Sequence, residues 1–273
     1  MTDRYAVIGH PIGHTRSPMI HGSFAQAAGQ DLDYGAIEAM PGDFAAAVHA
    51  FREAGGRGLN VTAPFKLQAF ELATDRLERA LSAGAANALK FEDGRIYADN
   101  FDGVGLVRDI TRNLGVPIKG ARVLLLGAGG AARGAMLPFL QQQPSRLVVA
   151  NRTSATADAL AQRFAAHGPV AASRCNALAG QRFDIVVNAT SASLRGEMPP
   201  LPGEALQGVQ LAYELAYGTG LTPFLHLARN AGVAQLADGV GMLVEQAAEA
   251  FAWWRDLRTD TRTVIERMAI PLA

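Results

Sequence analysis

At 273 residues the chain is long for one hydrophobic core, so two domains are the better expectation, and a sizeable core is within its reach. Its 25 basic and 25 acidic residues balance without a run of like charge or a basic stripe interleaved with aromatics. This excludes the electrostatic footprint of a nucleic-acid binder and points to a small-molecule partner. The single cysteine, Cys175, rules out an internal disulfide framework or a cysteine-based zinc site. It suits a reducing compartment, and no apolar run has the length of a membrane span, so a cytoplasmic location is expected.

Residues 4–9 (R-Y-A-V-I-G) read as a first strand, ended by the loop H-P-I-G-H-T-R-S-P. Ser17 before Pro18 has the form of an N-cap with proline at the first helical position, and Ile20, Phe24 and Ala27 give the following helix its apolar face. The same helix start, with hydroxyls from Thr15 and Ser17, is also a carboxylate-binding arrangement. His10 and His14 are four apart but flank Pro11 and Gly13, so they share no helical face and no metal site is expected.

An alternating strand over 32–39, a helix over 43–54 and a short strand over 59–62 come next. Pro64 then opens a helix that carries Lys66 in its first turn. A cation there opposes the helix dipole at a cost of up to ~1 kcal/mol, so it calls for an anionic partner or a lowered pKa. A small-residue turn (S-A-G-A-A-N, 82–87) leads into a strand, a hairpin at Glu92-Asp93-Gly94, and the segment D-N-F-D-G (99–103), where Asp102 is a favoured helix N-cap.

A second domain opens at Arg122-Val-Leu-Leu-Leu-Gly127-Ala-Gly129-Gly130-Ala-Ala132. This buried strand turns on glycines into an alanine-rich helix, and Gly127, Gly129 and Ala132 fill the pattern G-x-G-x-x-G/A of a dinucleotide site. The same glycines could serve tight packing alone. The next strand, 146–150, ends in Asn151-Arg152-Thr153, where an NAD-binding fold usually carries an acid for the ribose 2′-hydroxyl. With the charge reversed, these residues can hold a 2′-phosphate, each charge-assisted hydrogen bond being worth roughly 1.5–3 kcal/mol, so NADP is favoured over NAD. Further strands are read at 183–188, which delivers Asn188-Ala-Thr190-Ser to the cofactor edge, and at 211–215. A capped helix spans 222–231, and D-G-V-G-M (238–242) precedes a long helix with Gln246, Phe251, Trp253 and Trp254.

Taken together, S-P-M-I-H, N-V-T-A-P-F-K, A-G-A-A-N, D-N-F-D-G-V-G-L, G-A-G-G-A-A-R, N-R-T, N-A-T-S and D-G-V-G-M-L-V-E-Q-A-A resemble the shikimate dehydrogenase family in order and spacing over essentially the whole chain. The resemblance implies an α/β protein of two domains with the active cleft between them. The substrate-binding catalytic domain, a mostly parallel twisted sheet with helices, comprises residues 1–104 plus 240–273. A Rossmann-type NADP-binding domain spans 105–239, and the final helix returns to the first domain. It further implies the catalytic pair Lys66 and Asp102, which would give the lysine its partner. Thr15 and Ser17 would bind the substrate carboxylate with Tyr217 nearby, and Thr62, Asn87 and Gln246 would contact ring hydroxyls. The cofactor would be seated by Gly127, Gly129, Gly130, Ala131, Ala132, Asn151, Arg152, Thr153, Thr190 and Gly239.

The implied reaction is the reversible NADPH-dependent reduction of 3-dehydroshikimate to shikimate by a monomer or homodimer, with no nucleic-acid or membrane partner. The alternatives are a relative acting on quinate or another hydroxylated cyclohexane carboxylate, and a nucleotide-binding protein without catalysis. Three residues depart from the family pattern. Phe101 replaces the usual threonine beside Asp102, and its ring either narrows the cleft or enters the core. Ala88 follows Asn87 where threonine is usual. Thr156 stands where many members place a second basic residue for the 2′-phosphate.

Overall fold

A computed structural model describes residues 2–218 and 220–272. The chain divides into two compact units, one formed by residues up to Gly105 with Val244–Val264, the other by Leu106–Leu243 with residues from Ile265.

In the first unit β1 (Asp3–Gly9), α1 (Ser17–Ala28), β2 (Leu32–Glu38), α2 (Phe44–Glu53), β3 (Gly56–Val61), α3 (Lys66–Leu72), β4 (Asp75–Arg76), α4 (Glu78–Ala83), β5 (Ala88–Glu92) and β6 (Arg95–Asp99) follow one another. The sheet order is β2-β1-β3-β5-β6-β4. β1 pairs parallel with β2 and β3, and β4 with β6, whereas β5 runs antiparallel to β3 and β6. The β5–β6 hairpin turns through Asp93 (φ 49°) and Gly94 (φ 77°), the two positive dihedrals that a tight two-residue connection requires. Strand alternation builds two cores, with Ala6, Ile8, Leu59 and Leu89 on one face of the sheet and Tyr5, Val7 and Ala88 on the other.

The second face holds an aromatic group. His21 from α1 stacks on Tyr34 with centroids 4.1 Å apart and planes at 4°, and Phe24, Phe251 and Trp254 lie within 6.2 Å. Burial pushes the imidazole from its ordinary 6.5 down to about 3, against a smaller opposing contribution from Asn60. The unfolded chain therefore takes up this proton below pH 6.5 while the folded protein refuses it until about pH 3. Stability from this group is complete above pH 6.5 and declines by about 1.4 kcal/mol per pH unit on acidification through that window. Urea unfolding at pH 7 and pH 5 should show a loss of about 2 kcal/mol from this source that His21→Phe does not share. An equal loss in both proteins would contradict the assignment.

The second unit takes up the chain within α5 (Asp102–Arg108), continued by a π-helical turn over Asp109–Asn113. Then come β7 (Arg122–Leu126), α6 (Gly130–Gln141), β8 (Arg146–Asn151), α7 (Ser154–Phe164), β9 (Val170–Arg174), β10 (Ile185–Asn188), β11 (Leu211–Glu214), α8 (Pro223–Asn230) and β12 (Gln235–Ala237). All pairs are parallel and the order is β12-β11-β10-β7-β8-β9, the doubly wound Rossmann arrangement. Its central strands are buried on both faces, which explains their near-continuous apolar runs. Val123, Leu125, Val149 and Val187 face one core, and Leu124, Leu126, Val148 and Val186 face the other.

The chain re-enters the first unit along α9 (Val240–Arg255), and α10 (Arg262–Met268) follows. The unit boundary falls inside α9 rather than at residue 240. Gly241 lies so close to Asp109 that an added Cβ would come within 2.0 Å of its carboxylate, and the Met242 N–H donates to the Tyr213 hydroxyl at 3.2 Å. Two and three turns on, Ala250 and Trp254 pack in the first unit's core, with Trp254 stacked on Tyr5 at 4.8 Å. Residues beyond 264, expected with the first unit, group instead with the second, where Leu272 packs against the core beneath α8.

Candidate active site

Lys66 is the first residue of a helix that starts later than expected, because the Phe65 N–H closes a turn onto the Thr62 carbonyl (3.0 Å) and Pro64 stays within that turn. Two anchors fix the helix start. Phe65 is buried and stacked on Phe44 at 4.9 Å, and the Lys66 carbonyl accepts the Ala86 N–H at 2.9 Å. The second anchor brings the lysine beside the 82–87 turn.

That turn is laced to the segment before α5. Asn87 N–H donates to the Asp99 carbonyl (3.0 Å), Asn100 Nδ2 to the Ala85 carbonyl (3.1 Å), and Phe101 N–H to Asn87 Oδ1 (2.8 Å). Asp102 is held in turn by its own N–H bond to Asn100 Oδ1 at 3.2 Å. The outcome is a carboxylate with both oxygens engaged. Lys66 Nζ lies 2.6 Å from Asp102 Oδ2, and Asn87 Nδ2 donates to Oδ1 at 2.8 Å. Asn87 Nδ2 also reaches Gln246 Oε1 from α9 at 3.1 Å. With its oxygen taken by a backbone donor and its nitrogen by two acceptors, the Asn87 amide has one orientation. The lysine side chain remains about one-third exposed (35%), whereas the aspartate is 12% exposed, so the ammonium is the accessible member of the pair.

Thr62 is half-buried at the end of β3, its N–H bonded to the Ile8 carbonyl at 3.0 Å. Ser17 does not cap α1. It is the first helical residue after Arg16, its N–H donates to Thr15 Oγ1 (3.3 Å), and the two hydroxyls are 3.2 Å apart. The hydroxyl pair thus sits at a helix start with no side-chain cap. Tyr217 belongs to the second unit, exposed in the turn after β11. Two polar residues behind this region were not singled out from the sequence: Tyr34 donates to Asn60 Oδ1 at 2.6 Å, and Asn60, buried in β3, lies one residue before the V-T of the quoted motif.

Of the three departures, Phe101 resolves toward the core. Its ring is 2% exposed, packed with Val7, Ile12 and Ala250, with the Trp253 ring edge-on at 5.6 Å and the Arg79 guanidinium over it at 5.0 Å. Arg79 in turn binds the buried Asp99, whose carboxyl is raised chiefly by burial against the guanidinium's pull. Ala88 is fully buried and Thr156 is exposed in the first turn of α7.

In the second unit the glycine turn is shaped for close approach. Gly127 has φ 101°, and a Cβ there would meet the Ala189 carbonyl at 3.0 Å; Gly129 and Gly130 face open space. No side chain caps α6, leaving its first N–H groups to a ligand, while Ala131 is exposed and Ala132 packs in the core. A hollow beyond β7 and β8 is lined by Gly127, Gly129, Gly130, Asn151, Arg152 and Thr190. Thr153 caps the entry to α7 by backbone alone, its carbonyl accepting Asn151 Nδ2 at 3.2 Å. Gly239 is buried away from this lining, where any side chain would collide with the Leu215 carbonyl at 2.1 Å.

Behind Thr190 is a buried network absent from the sequence reading. Thr190 N–H and Oγ1 donate to Asn188 Oδ1 (3.1 and 2.7 Å), and Asn188 Nδ2 donates to Glu214 Oε2 at 2.9 Å. Glu214, with no solvent exposure, also accepts from the Ser193 hydroxyl, Thr222 Oγ1 (3.1 Å) and the Ala216 N–H (3.1 Å).

A doubly wound sheet with an open glycine turn, in a chain that also carries an accessible lysine on a buried carboxylate, is the architecture of a dinucleotide-dependent dehydrogenase. Three family profiles match the chain: "Shikimate dehydrogenase substrate binding domain" over residues 7–89, "Shikimate / quinate 5-dehydrogenase" over 109–195, and "Shikimate 5'-dehydrogenase C-terminal domain" over 239–268. A shikimate dehydrogenase (NADP(+)) of Chromobacterium violaceum is 54% identical over the whole of both chains. The crystal structure of an Ael1 enzyme from Pseudomonas putida superposes with a TM-score of 0.98 at 66% identity, covering 100% of each chain. A shikimate 5-dehydrogenase from Thermus thermophilus, solved with NADP(H) and shikimate, gives 0.87 at 30% identity over 97% of this chain and 98% of its own. The chain belongs to the shikimate dehydrogenase family.

Proposed function

We propose that this protein is a shikimate dehydrogenase that interconverts 3-dehydroshikimate and shikimate with NADP, in the cytoplasm, as a monomer or homodimer. The observation that carries the reading is the 2.6 Å contact of Lys66 with Asp102, whose second oxygen is held by Asn87. NADPH supplies the hydride for the ring carbonyl. Lys66 polarises that carbonyl oxygen and gives it a proton, and in the reverse direction the same amine receives the proton of the ring hydroxyl. Asp102 holds the ammonium on its buried side and thereby directs its free N–H bonds outward, while Asn87, bonded in turn to Gln246, fixes the carboxylate. The ring hydroxyls are assigned to Thr62, Gln246 and the remaining lone pair of Asn87 Oδ1. The uncapped hydroxyl pair Thr15 and Ser17 receives the substrate carboxylate, with Tyr217 as a further partner.

The glycine turn and the cationic end of β8 fit NADP: there is open space before an uncapped helix and a guanidinium in place of an acid. Arg152→Ala should weaken NADP+ binding about tenfold or more while changing NAD+ binding little, the pattern expected when one charge-assisted hydrogen bond to the 2′-phosphate is lost. Equal losses for the two cofactors would argue against that role. The reading as a whole is tested by following NADPH formation spectrophotometrically with shikimate and then quinate. Turnover of shikimate supports it; turnover of quinate alone, or of neither, overturns it.

A further inference from the structure

The 2′-phosphate reading leaves one gap, because the first turn of α7 offers only Ser154, Ala155 and Thr156 where a second cation would be expected. The neighbouring strand fills it. β9 lies parallel to β8, in register Asn151↔Arg174, so its last residue emerges at the same edge, one strand spacing of about 4.8 Å away. Carboxyl ends of adjacent strands are where a doubly wound sheet binds ligands. Arg174 is exposed and forms no ion pair or side-chain hydrogen bond with any described residue.

Arg152, Ser154, Arg174 and Asn176 line one open hollow together with Pro200–Pro202, and none of the described residues lining it is acidic. Glu197, which lines the adjoining hollow, is hydrogen-bonded by Arg195 at 3.0 and 2.8 Å and interacts with Arg152 only through space, as the weakest of the influences on its carboxyl. Cys175 also faces the hollow, and burial raises its thiol, so it stays neutral and does not offset the two guanidiniums.

We infer that Arg174 is a specificity-determining residue for NADP, gripping the 2′-phosphate from β9 alongside Arg152 in place of a cation on α7. The assignment rests on the NADP reading above. Two guanidiniums on a dianion, with the Ser154 hydroxyl in the same lining, give more donors than Arg152 alone and an electrostatic attraction that salt screens.

The test is calorimetric titration of the wild type, Arg174→Ala and Arg174→Lys with NADP+, NAD+ and adenosine 2′,5′-bisphosphate, each at low and high salt. Arg174→Ala is expected to weaken NADP+ and the bisphosphate about tenfold and NAD+ less than about twofold, with a shallower salt dependence. Arg174→Lys should recover part of the loss because it keeps the charge without the fork. An unchanged NADP+ affinity in Arg174→Ala, or an equal loss for NAD+, would overturn the assignment while leaving the parent reading intact. A wild type that binds NADP+ no more tightly than NAD+ would overturn both.

Discussion

Lys66→Ala should lower kcat about 10²- to 10⁴-fold with much less change in KM for shikimate, the range that a positioned acid–base group contributes. The split between the two constants follows from geometry. Lys66 touches the reacting oxygen in the proposed mechanism, whereas the substrate's carboxylate and other hydroxyls are assigned to Thr15, Ser17, Thr62, Asn87 and Gln246. The fold should survive the change, because the start of α3 is held by Phe65 on Phe44 and by the Ala86 N–H rather than by the lysine side chain. Unchanged circular dichroism alongside the kinetic loss would separate chemistry from folding. A variant with near-normal kcat would remove Lys66 from the mechanism.

The second large effect concerns Glu214, which contacts no bound molecule in the proposed reaction. Glu214→Ala withdraws the acceptor from three buried donors, on Asn188 at the end of β10, Ser193 and Thr222, and from the partly buried Ala216 N–H beyond β11. An unsatisfied buried group costs about 1–3 kcal/mol, so a total of about 3 kcal/mol or more is expected even after water fills part of the space. The urea midpoint followed by circular dichroism measures it, and an unchanged midpoint would contradict the account. Because Asn188 passes the constraint to Thr190, cofactor binding should weaken as well. Glu214→Gln, which keeps the volume but turns one acceptor into a donor, should fall between the two.

How much of this was legible in the sequence depended on the kind of signal. The glycine turn, the strands at 122–126 and 185–188 and the lysine that wanted an anion were visible because parallel strands buried on both faces leave continuous apolar runs and because helix ends have electrical polarity. β9 was not visible. Its V-A-A-S-R sequence is only partly buried at a sheet edge and carries no periodic apolar pattern, so Arg174 was not connected with Arg152. Glu214 was equally hidden, since a buried carboxylate among neutral donors is assembled from residues up to 26 apart that no local pattern links. Phe101 could be read two ways, and only the packing of Ile12, Ala250 and Trp253 around its ring decided between them.

The division of the chain also sets an order for its making. The first unit needs Gln246 for its Asn87 network and Ala250 and Trp254 for its core, yet the whole of 106–243 is synthesised before them. At ~5–20 residues per second, on the order of ten seconds pass between the emergence of β6 and that of α9. Throughout that interval the face bearing Tyr5, Val7 and Ala88 lacks the cover of Ala250 and Trp254, and the inserted sheet gains its last strand, β12, only just before α9. The part of the protein translated first is therefore completed late, and a chain truncated after Leu243 should carry a first unit far more susceptible to protease than that of the full-length protein.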